Sequence, residues 1–294
     1  MTEFTKTLLL DFSNIAHATY HIMKCDSSLK TDAEKFDYWR FLMLSMIKNV
    51  KIKHQPSEYI ICVDSMSWRR KAFKYYKANR DDLKKDADFD YQYFLENMQL
   101  FTKEVDQNFH YKVISYNGAE ADDIIAILAA ELSKVRDKII IASNDKDFKQ
   151  LIRNNIHLWN IKDKKFIEVE DCREYLIFHI LNGDSGDGVP NVRSDDDVFV
   201  DKGKRQKPCG AKQISKILEE GLQTYIEREG LKRNFARNRK LVDLSKNYIP
   251  ESIWNGVMEK YNSIPDKQKN YKNILMYFSR HGLRSLMDEV NLFM

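Results

Sequence analysis

Short apolar runs recur through the first part of the chain, and longer segments of different periodicity separate them. Five of these runs predict buried strands, at residues 7–10, 59–63, 112–115, 138–142 and 156–159. The segments 36–50 and 124–132 place apolar residues at helical spacing and predict helices. Strands that alternate with helices are typical of α/β folds, so we expect a mostly parallel central sheet flanked by helices.

The pattern changes near residue 181. No strong strand run follows, and the glycines and proline of segment 183–190 indicate a tight turn. Helices are predicted beyond it at 213–219, 222–229 and 235–244. We therefore expect an α/β domain over residues 1–181 and a smaller, mostly helical part over residues 182–294. The charge-dense stretches 79–90 and 193–207 have the composition of exposed loops.

Composition narrows the class of protein. The chain has 294 residues and 43% apolar residues, enough for a sizeable core, while its net charge of +4 does not by itself indicate nucleic-acid binding. The four cysteines form no C-x-x-C pair, which argues against a zinc site or a disulfide framework and favours a reducing compartment. No apolar run approaches the ~20 residues that span a membrane, and no signal-peptide pattern opens the chain. We expect a cytoplasmic protein without a membrane partner.

Acidic residues follow the predicted strands at the points where the strands end. These residues are Asp11, Asp64, Asp145 and Asp147. Because parallel strands point the same way, their carboxyl ends meet at one edge of the sheet, where α/β proteins place their sites. An aspartate at one strand end alone is usually a turn residue or a helix cap. Three such strand ends in one chain favour a shared site.

Two further acidic groups extend this pattern. Glu120 and Asp122 belong to an E-A-D-D sequence that opens the helix 124–132, where Asp123 is as well explained as a helix cap. Asp184 and Asp187 lie in the glycine-rich turn, three residues apart. So many carboxylates in one place repel each other unless cations bind. All-oxygen ligands suit Mg²⁺ or Mn²⁺, and two such ions roughly 4 Å apart can clamp the oxygens of a phosphodiester.

These acidic motifs, together with the glycine turn, resemble those of the 5′-nuclease family. That family includes flap endonucleases, the 5′-nuclease domain of bacterial DNA polymerase I and phage 5′-exonucleases, and the T-even phage members are the most similar. The resemblance covers nearly the whole chain. It implies a helical arch over about residues 66–110 and a helix–three-turn–helix-like motif in the C-terminal part. It also implies two Mg²⁺ ions, which Mn²⁺ can replace.

The resemblance also assigns the carboxylates to the two ions. The first ion would be held by Asp11, Asp64, Glu120, Asp122 and Asp145. The second would be held more weakly, in part through water, by Asp147, Asp184 and Asp187.

Basic and aromatic residues alternate after Asp64. We predict a helix over residues 67–80. Such a helix would carry basic and aromatic side chains on its faces, which suits a surface on which phosphates pair with charge and bases stack. The resemblance implies that Arg69 and Lys77 steady the scissile phosphate and that Tyr76 stacks a base near the 5′ end. The remaining candidates for DNA contact in this segment are Arg70, Lys74 and Arg80. A solvated helix face is the alternative interpretation.

Residues 188–192 of the glycine turn resemble the start of the family's helix–three-turn–helix motif, which binds duplex DNA. Residues 210–214 resemble the end of that motif. The inserted segment 193–208 separates the two parts. Lys204, Arg205 and Lys212 are candidates for contacts to duplex phosphates, with a flexible charged loop an equally good interpretation. Phosphate contacts position DNA without reading its sequence, so structure-selective cutting is expected.

The leading hypothesis is a 5′-to-3′ exonuclease with flap endonuclease activity on DNA and RNA–DNA hybrids. It would remove RNA primers during DNA replication, as in a tailed phage. Two alternatives remain, a single-strand ribonuclease of related sheet topology and a non-catalytic protein that binds branched DNA. The resemblance implies substrates with free 5′ ends or flaps and a single-stranded-DNA-binding protein as a partner, and we expect a monomer.

Overall fold

The computed structural model describes residues 4–78 and 91–294, and its centre is a six-stranded sheet in the order β3-β2-β1-β4-β5-β6. The first five strands are parallel, and β6 pairs antiparallel with β5. The strands are β1 (Lys6–Asp11), β2 (Glu58–Cys62), β3 (Lys112–Ile114), β4 (Lys138–Ala142), β5 (Ile156–Asn160) and β6 (Lys165–Ile167). The predicted α/β class with a mostly parallel sheet is confirmed. Strand β6 was not predicted, because it has only three residues and none of them is buried.

Helices cover both faces of the sheet and continue beyond it. They are α1 (Phe12–Lys24), α2 (Asp32–His54), α3 (Arg69–Ala72), α4 (Tyr91–Asn108), α5 (Ala121–Leu132), α6 (Cys172–Asn182), α7 (Ala211–Glu220), α8 (Leu222–Arg228), α9 (Lys232–Val242), α10 (Glu251–Ser263), α11 (Tyr271–Arg280) and α12 (Arg284–Met287). Local sequence explains several starting points. Thr31 and Glu34 form a capping box at α2, and Asp171 caps α6 by accepting from two backbone amides.

The core has two halves because side chains alternate along each strand. In β1, Leu8 and Leu10 pack with α2, α4 and the C-terminal helices, whereas Leu9 faces α5 and α10 on the other side. The three leucines have no exposed surface. The sheet is therefore buried on both faces, as parallel sheets usually are.

The predicted division at residue 181 does not separate two cores. Val257 of α10 packs with the α5 side of the sheet, and Tyr277 of α11 and Phe293 pack with the α2 side. The intervening region, from α6 to α9, builds one smaller core of its own and a second one together with Phe73 and Tyr76. The apolar spacing of a helix predicts that the helix has a buried face, but not which surface covers that face. The packing of the C-terminal helices on the sheet could therefore not be predicted from the sequence.

The segment after β2 differs from the predicted helix over residues 67–80. Helix α3 ends at Ala72, Phe73 is extended, and turns follow to residue 78, with Lys77 at φ +56°. The prediction is wrong beyond Ala72 because Phe73 and Tyr76 pack against α6 and α9, and this tertiary contact overrides helical spacing. Arg80 and the predicted loop 79–90 lie outside the described residues. Among the described helices, none is long and apolar enough to cross a membrane.

Candidate metal centre

An acidic cleft of about 290 Å³ lies at the carboxyl edge of the sheet. Seven of the predicted carboxylates line it, namely Asp11, Asp64, Asp122, Asp145, Asp147, Asp184 and Asp187. They come from the ends of three strands, the start of α5 and the glycine turn. The structure thus brings together residues that are up to 176 positions apart in the sequence.

Backbone and hydroxyl groups fix the acids at the strand ends. Asp11 caps α1 by accepting from the amide of Asn14 at 3.1 Å, and the hydroxyl of Ser143, just after β4, donates to its other oxygen at 2.7 Å. The amide of Ala121 donates to Asp64 at 2.6 Å, which ties the start of α5 to the end of β2. The carboxylates are therefore held in place by neighbouring strands and helices.

The glycine turn brings two more carboxylates to the cleft. Asp184 and Val189 exchange backbone hydrogen bonds of 2.8 and 2.7 Å, and the amide of Asp187 donates to the Asp184 side chain at 3.1 Å. Gly183, at φ +68°, makes this closure possible, because a Cβ there would lie 2.4 Å from the Val189 carbonyl oxygen.

Burial and mutual repulsion disfavour the charged form of several of these acids. Burial, followed by the charge of Asp64, raises the pKa of Asp11 to about 7. Burial raises the pKa of Asp147 to about 7, although His179 opposes the shift. The pKa of Asp122 is also well above its usual range, through burial and then the charge of Asp145. A bound cation would relieve this repulsion, so the cleft fits a divalent metal centre.

Glu120 differs from the other predicted ligands. It does not line the cleft, and it accepts hydrogen bonds from Ser67 at 2.6 Å, Tyr76 at 2.9 Å and Lys77 at 2.5 Å. Burial would raise its pKa, but Lys77 and Arg69 outweigh burial and lower the pKa to about 2. Its direct role as a ligand of the first ion is therefore not supported by this arrangement.

Arg69 is 2% exposed and is bound on all sides. It donates to Asp123 at 2.9 Å, to Glu120 at 3.2 Å and to the carbonyl of Leu241 at 2.7 Å. The prediction that Arg69 steadies a phosphate needs correction in this structure, because a guanidinium buried among protein acceptors has no free face. Arg69 instead joins the base of the segment after β2 to α5 and α9.

Tyr76 is also buried, with 3% of its surface exposed. Its hydroxyl donates to Glu120 and to Asp187 at 2.9 and 2.8 Å. The predicted stacking of a base on Tyr76 does not fit this position. Lys77, in contrast, lines the acidic cleft, where its ammonium lies 2.5 Å from Glu120 and 3.4 Å from Asp187.

His179 in α6 was missed by the sequence analysis. Its Nδ1 lies 3.6 Å from Asp147 and its Nε2 lies 3.7 Å from Asp184. Burial would lower the pKa of His179, but the neighbouring carboxylates, Asp184 first, hold it above the ordinary value. The sequence signal was weak, since a histidine within the apolar stretch 176–181 is usually a core residue.

The remaining basic candidates lie at the surface. Arg70, Lys74, Arg205 and Lys212 are exposed. Lys204 is ion-paired with Asp197 at 2.7 Å in the inserted segment, where residues 193–207 contain neither a helix nor a strand. A larger cavity of about 380 Å³ lies between α5 and residues 243–247, and none of the predicted acids lines it.

Two family models match the chain. One, described as the 5′-3′ exonuclease N-terminal resolvase-like domain, matches residues 6–176, and one described as the C-terminal part of T4 RNase H matches residues 172–293. The chain is 29% identical to the Ribonuclease H of Enterobacteria phage T4 over 97% of this chain and 95% of that protein. It is 32% identical to a 5′-3′ exonuclease of Buchnera aphidicola over 51% of this chain and 53% of that protein.

Solved structures share the fold. The T5 5′-exonuclease with bound zinc ions superposes with a TM-score of 0.64 and 17% identity, over 87% of this chain and 98% of that chain. A T5 flap endonuclease in a complex with DNA and metal ions superposes with a TM-score of 0.63 and 17% identity, over 88% of this chain and 100% of that chain. At this identity the likeness concerns the fold.

Proposed function

This chain belongs to the 5′-3′ exonuclease family, whose members hydrolyse phosphodiester bonds, and on that premise we propose a metal-dependent 5′-nuclease acting on DNA and RNA–DNA hybrids. Its substrates have free 5′ ends or flaps, and its role is the removal of RNA primers during DNA replication. The observation that carries the proposal is the acidic cleft, because seven carboxylates at one sheet edge require cations and match phosphoryl-transfer chemistry.

The cleft divides into two ligand groups. Asp11, Asp64, Asp122 and Asp145 would hold the first ion, and Asp147, Asp184 and Asp187 would hold the second. Two Mg²⁺ ions, replaceable by Mn²⁺, would supply Lewis-acid activation of water and stabilise charge on the phosphate. The oxygen-rich donor set supports Mg²⁺ as the physiological ion of the first group.

The protein's own residues orient the substrate. Among residues 4–78 and 91–294, Lys77 is the cation that lines the cleft, so its ammonium is placed to contact the scissile phosphate and to stabilise charge that develops there. Tyr76 and Arg69 hold the Lys77 segment against α5 and the glycine turn, and thus act as positioning residues.

Exposed basic residues outside the cleft lining would contact the DNA backbone. We assign this role to Arg70, Lys74, Lys204, Arg205 and Lys212. Such contacts select for strand geometry and not for sequence. The protein acts as a monomer, and a single-stranded-DNA-binding protein is a partner at the replication site.

The test is cleavage of a 5′-labelled flap and of a nicked RNA–DNA hybrid, in Mg²⁺ and in EDTA. We expect short 5′ products that need Mg²⁺ and that disappear in Asp145→Asn. Asp163→Asn is the matched control, because Asp163 is an exposed aspartate in the turn between β5 and β6. Tight binding to the flap without turnover in any metal would instead support the non-catalytic junction binder.

A further inference from the structure

The imidazole of His179 borders two of the carboxylates that line the acidic cleft, Asp147 and Asp184. His179 is 8% exposed, and its Nδ1 is buried without a hydrogen-bond partner although it points towards Asp147. A buried polar atom without a partner is costly, at about 1–3 kcal/mol. Such an atom in a native site calls for an explanation, and an ion that it coordinates is one that fits the neighbouring carboxylates.

The geometry around His179 suits a metal ion. One donor atom each from Asp147, His179 and Asp184 lies within 4.8 Å of the other two. With bonds of ~2.1 Å, ligands on opposite sides of an ion are about 4.2 Å apart and ligands at right angles about 3.0 Å apart, so an ion would draw the three atoms together by about 2 Å at most. Helix α6 packs against the 3-10 helix Asp147–Leu151, and this packing places His179 beside Asp147.

We propose that His179 is a direct ligand of the ion held by Asp147 and Asp184, which makes this half of the centre selective for Mn²⁺ over Mg²⁺. The inference deepens the proposed function and rests on its two-metal centre. Mn²⁺ also takes oxygen ligands, but as a first-row transition-metal ion it accepts an imidazole nitrogen more readily than Mg²⁺, which keeps oxygen ligands and water. The first ligand group, built from four carboxylates, keeps its affinity for Mg²⁺.

A second histidine provides the control. His17 of α1 is one of the residues that line the cleft, whereas His179 borders the cleft through Asp147 and Asp184. If any histidine in the cleft could bind the ion, His17 would serve as well as His179. The variants His179→Gln and His17→Gln therefore separate the proposed ligand from its neighbour, and glutamine keeps the size and polarity of the side chain.

The experiment is electron spin-echo modulation spectroscopy of the full chain loaded with Mn²⁺ alone. We expect ¹⁴N modulation from a directly bound imidazole in the wild type and in His17→Gln, and its loss in His179→Gln. Calorimetric titration with each ion should show one of two Mn²⁺ sites weakened ~10-fold or more in His179→Gln, with Mg²⁺ binding changed less than about threefold. Circular dichroism of each variant confirms that it is folded.

The outcomes are separable from those of the nuclease test. Absence of ¹⁴N modulation in the wild type overturns the proposal, and so does modulation that survives in His179→Gln and disappears in His17→Gln. Equal loss of Mg²⁺ and Mn²⁺ affinity would reduce His179 to a packing role. If the protein binds Mn²⁺ through His179 but cleaves no 5′-ended substrate, the proposed function fails and the metal assignment stands.

Discussion

Replacing Arg69 with methionine tests whether this residue supports the fold or contacts the substrate. Methionine keeps a long unbranched side chain but leaves Asp123 and Glu120 without their shared cation. Glu120 keeps its ion pair with Lys77, but Asp123 has no exposed surface, so water cannot solvate its unpaired charge. The carbonyl of Leu241, 2.7 Å from the guanidinium, loses its donor as well.

Breaking a buried ion pair by removing one partner costs about 3–5 kcal/mol, because the other charge stays buried and unpaired. We therefore expect Arg69→Met to lower the free energy of unfolding by about 4 kcal/mol, measured by urea denaturation in EDTA. The adjacent Arg70 is exposed, so Arg70→Met should change stability by less than about 0.5 kcal/mol. In the double variant Arg69→Met/Asp123→Asn, the free energy of unfolding should fall less than in Arg69→Met alone, because the buried carboxylate of Asp123 is no longer left without a cation.

The reasoning would be refuted by a folded Arg69→Met protein within about 1 kcal/mol of the wild type that has lost cleavage. That result would mean that the guanidinium leaves its acceptors and reaches the phosphate, as the sequence resemblance implied. A destabilised variant that still cleaves at low temperature would place Arg69 in the support of the fold.

Three further predictions follow from the same contacts. In EDTA the free energy of unfolding should fall as pH rises from 5.5 to 8, by about 2 kcal/mol for Asp11 alone. The reason is that the pKa of Asp11 is about 7 in the folded protein and 3.8 in the unfolded chain. A melting temperature that does not change with pH would contradict this. Gly183→Ala should lower the free energy of unfolding by more than about 2 kcal/mol, because backbone strain of ~1–3 kcal/mol adds to a clash with the Val189 carbonyl. Gly230 also has a positive φ but has open space around it, so Gly230→Ala should lower it by about 1 kcal/mol in denaturant titrations. Lys77→Met should lower single-turnover cleavage ~100-fold or more at unchanged flap affinity, and loss of affinity alone would assign Lys77 to binding.

Much of the cleft could be predicted from the sequence because its determinants are local. A run of three leucines before Asp11 predicts a strand, and parallel strands bring their ends to one edge regardless of the loops between them. The same logic applies to Asp64 and Asp145. The alternation of strands and helices thus predicts a parallel sheet, and the parallel sheet predicts that these acids meet at one edge.

The rest of the site depends on contacts between distant segments. Arg69 is buried by Leu241, which is 172 residues away, and no local spacing reveals that contact. His179 meets Asp147 only because α6 packs on the 3-10 helix, and within α6 it has the periodicity of a core residue. The helix that local spacing predicts around Tyr76 does not form for the same reason, because this segment packs against α9.

The return of the C-terminal helices to the sheet also sets the order in which this chain can fold on the ribosome. The hydroxyl of Tyr111, beside β3, donates to the carbonyl of Phe293, across 182 residues of sequence. Until α11 and residues 290–293 emerge, the α2 side of the sheet keeps an open apolar surface, and a nascent chain would need a chaperone or delayed collapse to protect it. Contacts of such long sequence separation slow folding, so this nuclease should acquire its activity late, after synthesis of the whole sheet-covering segment.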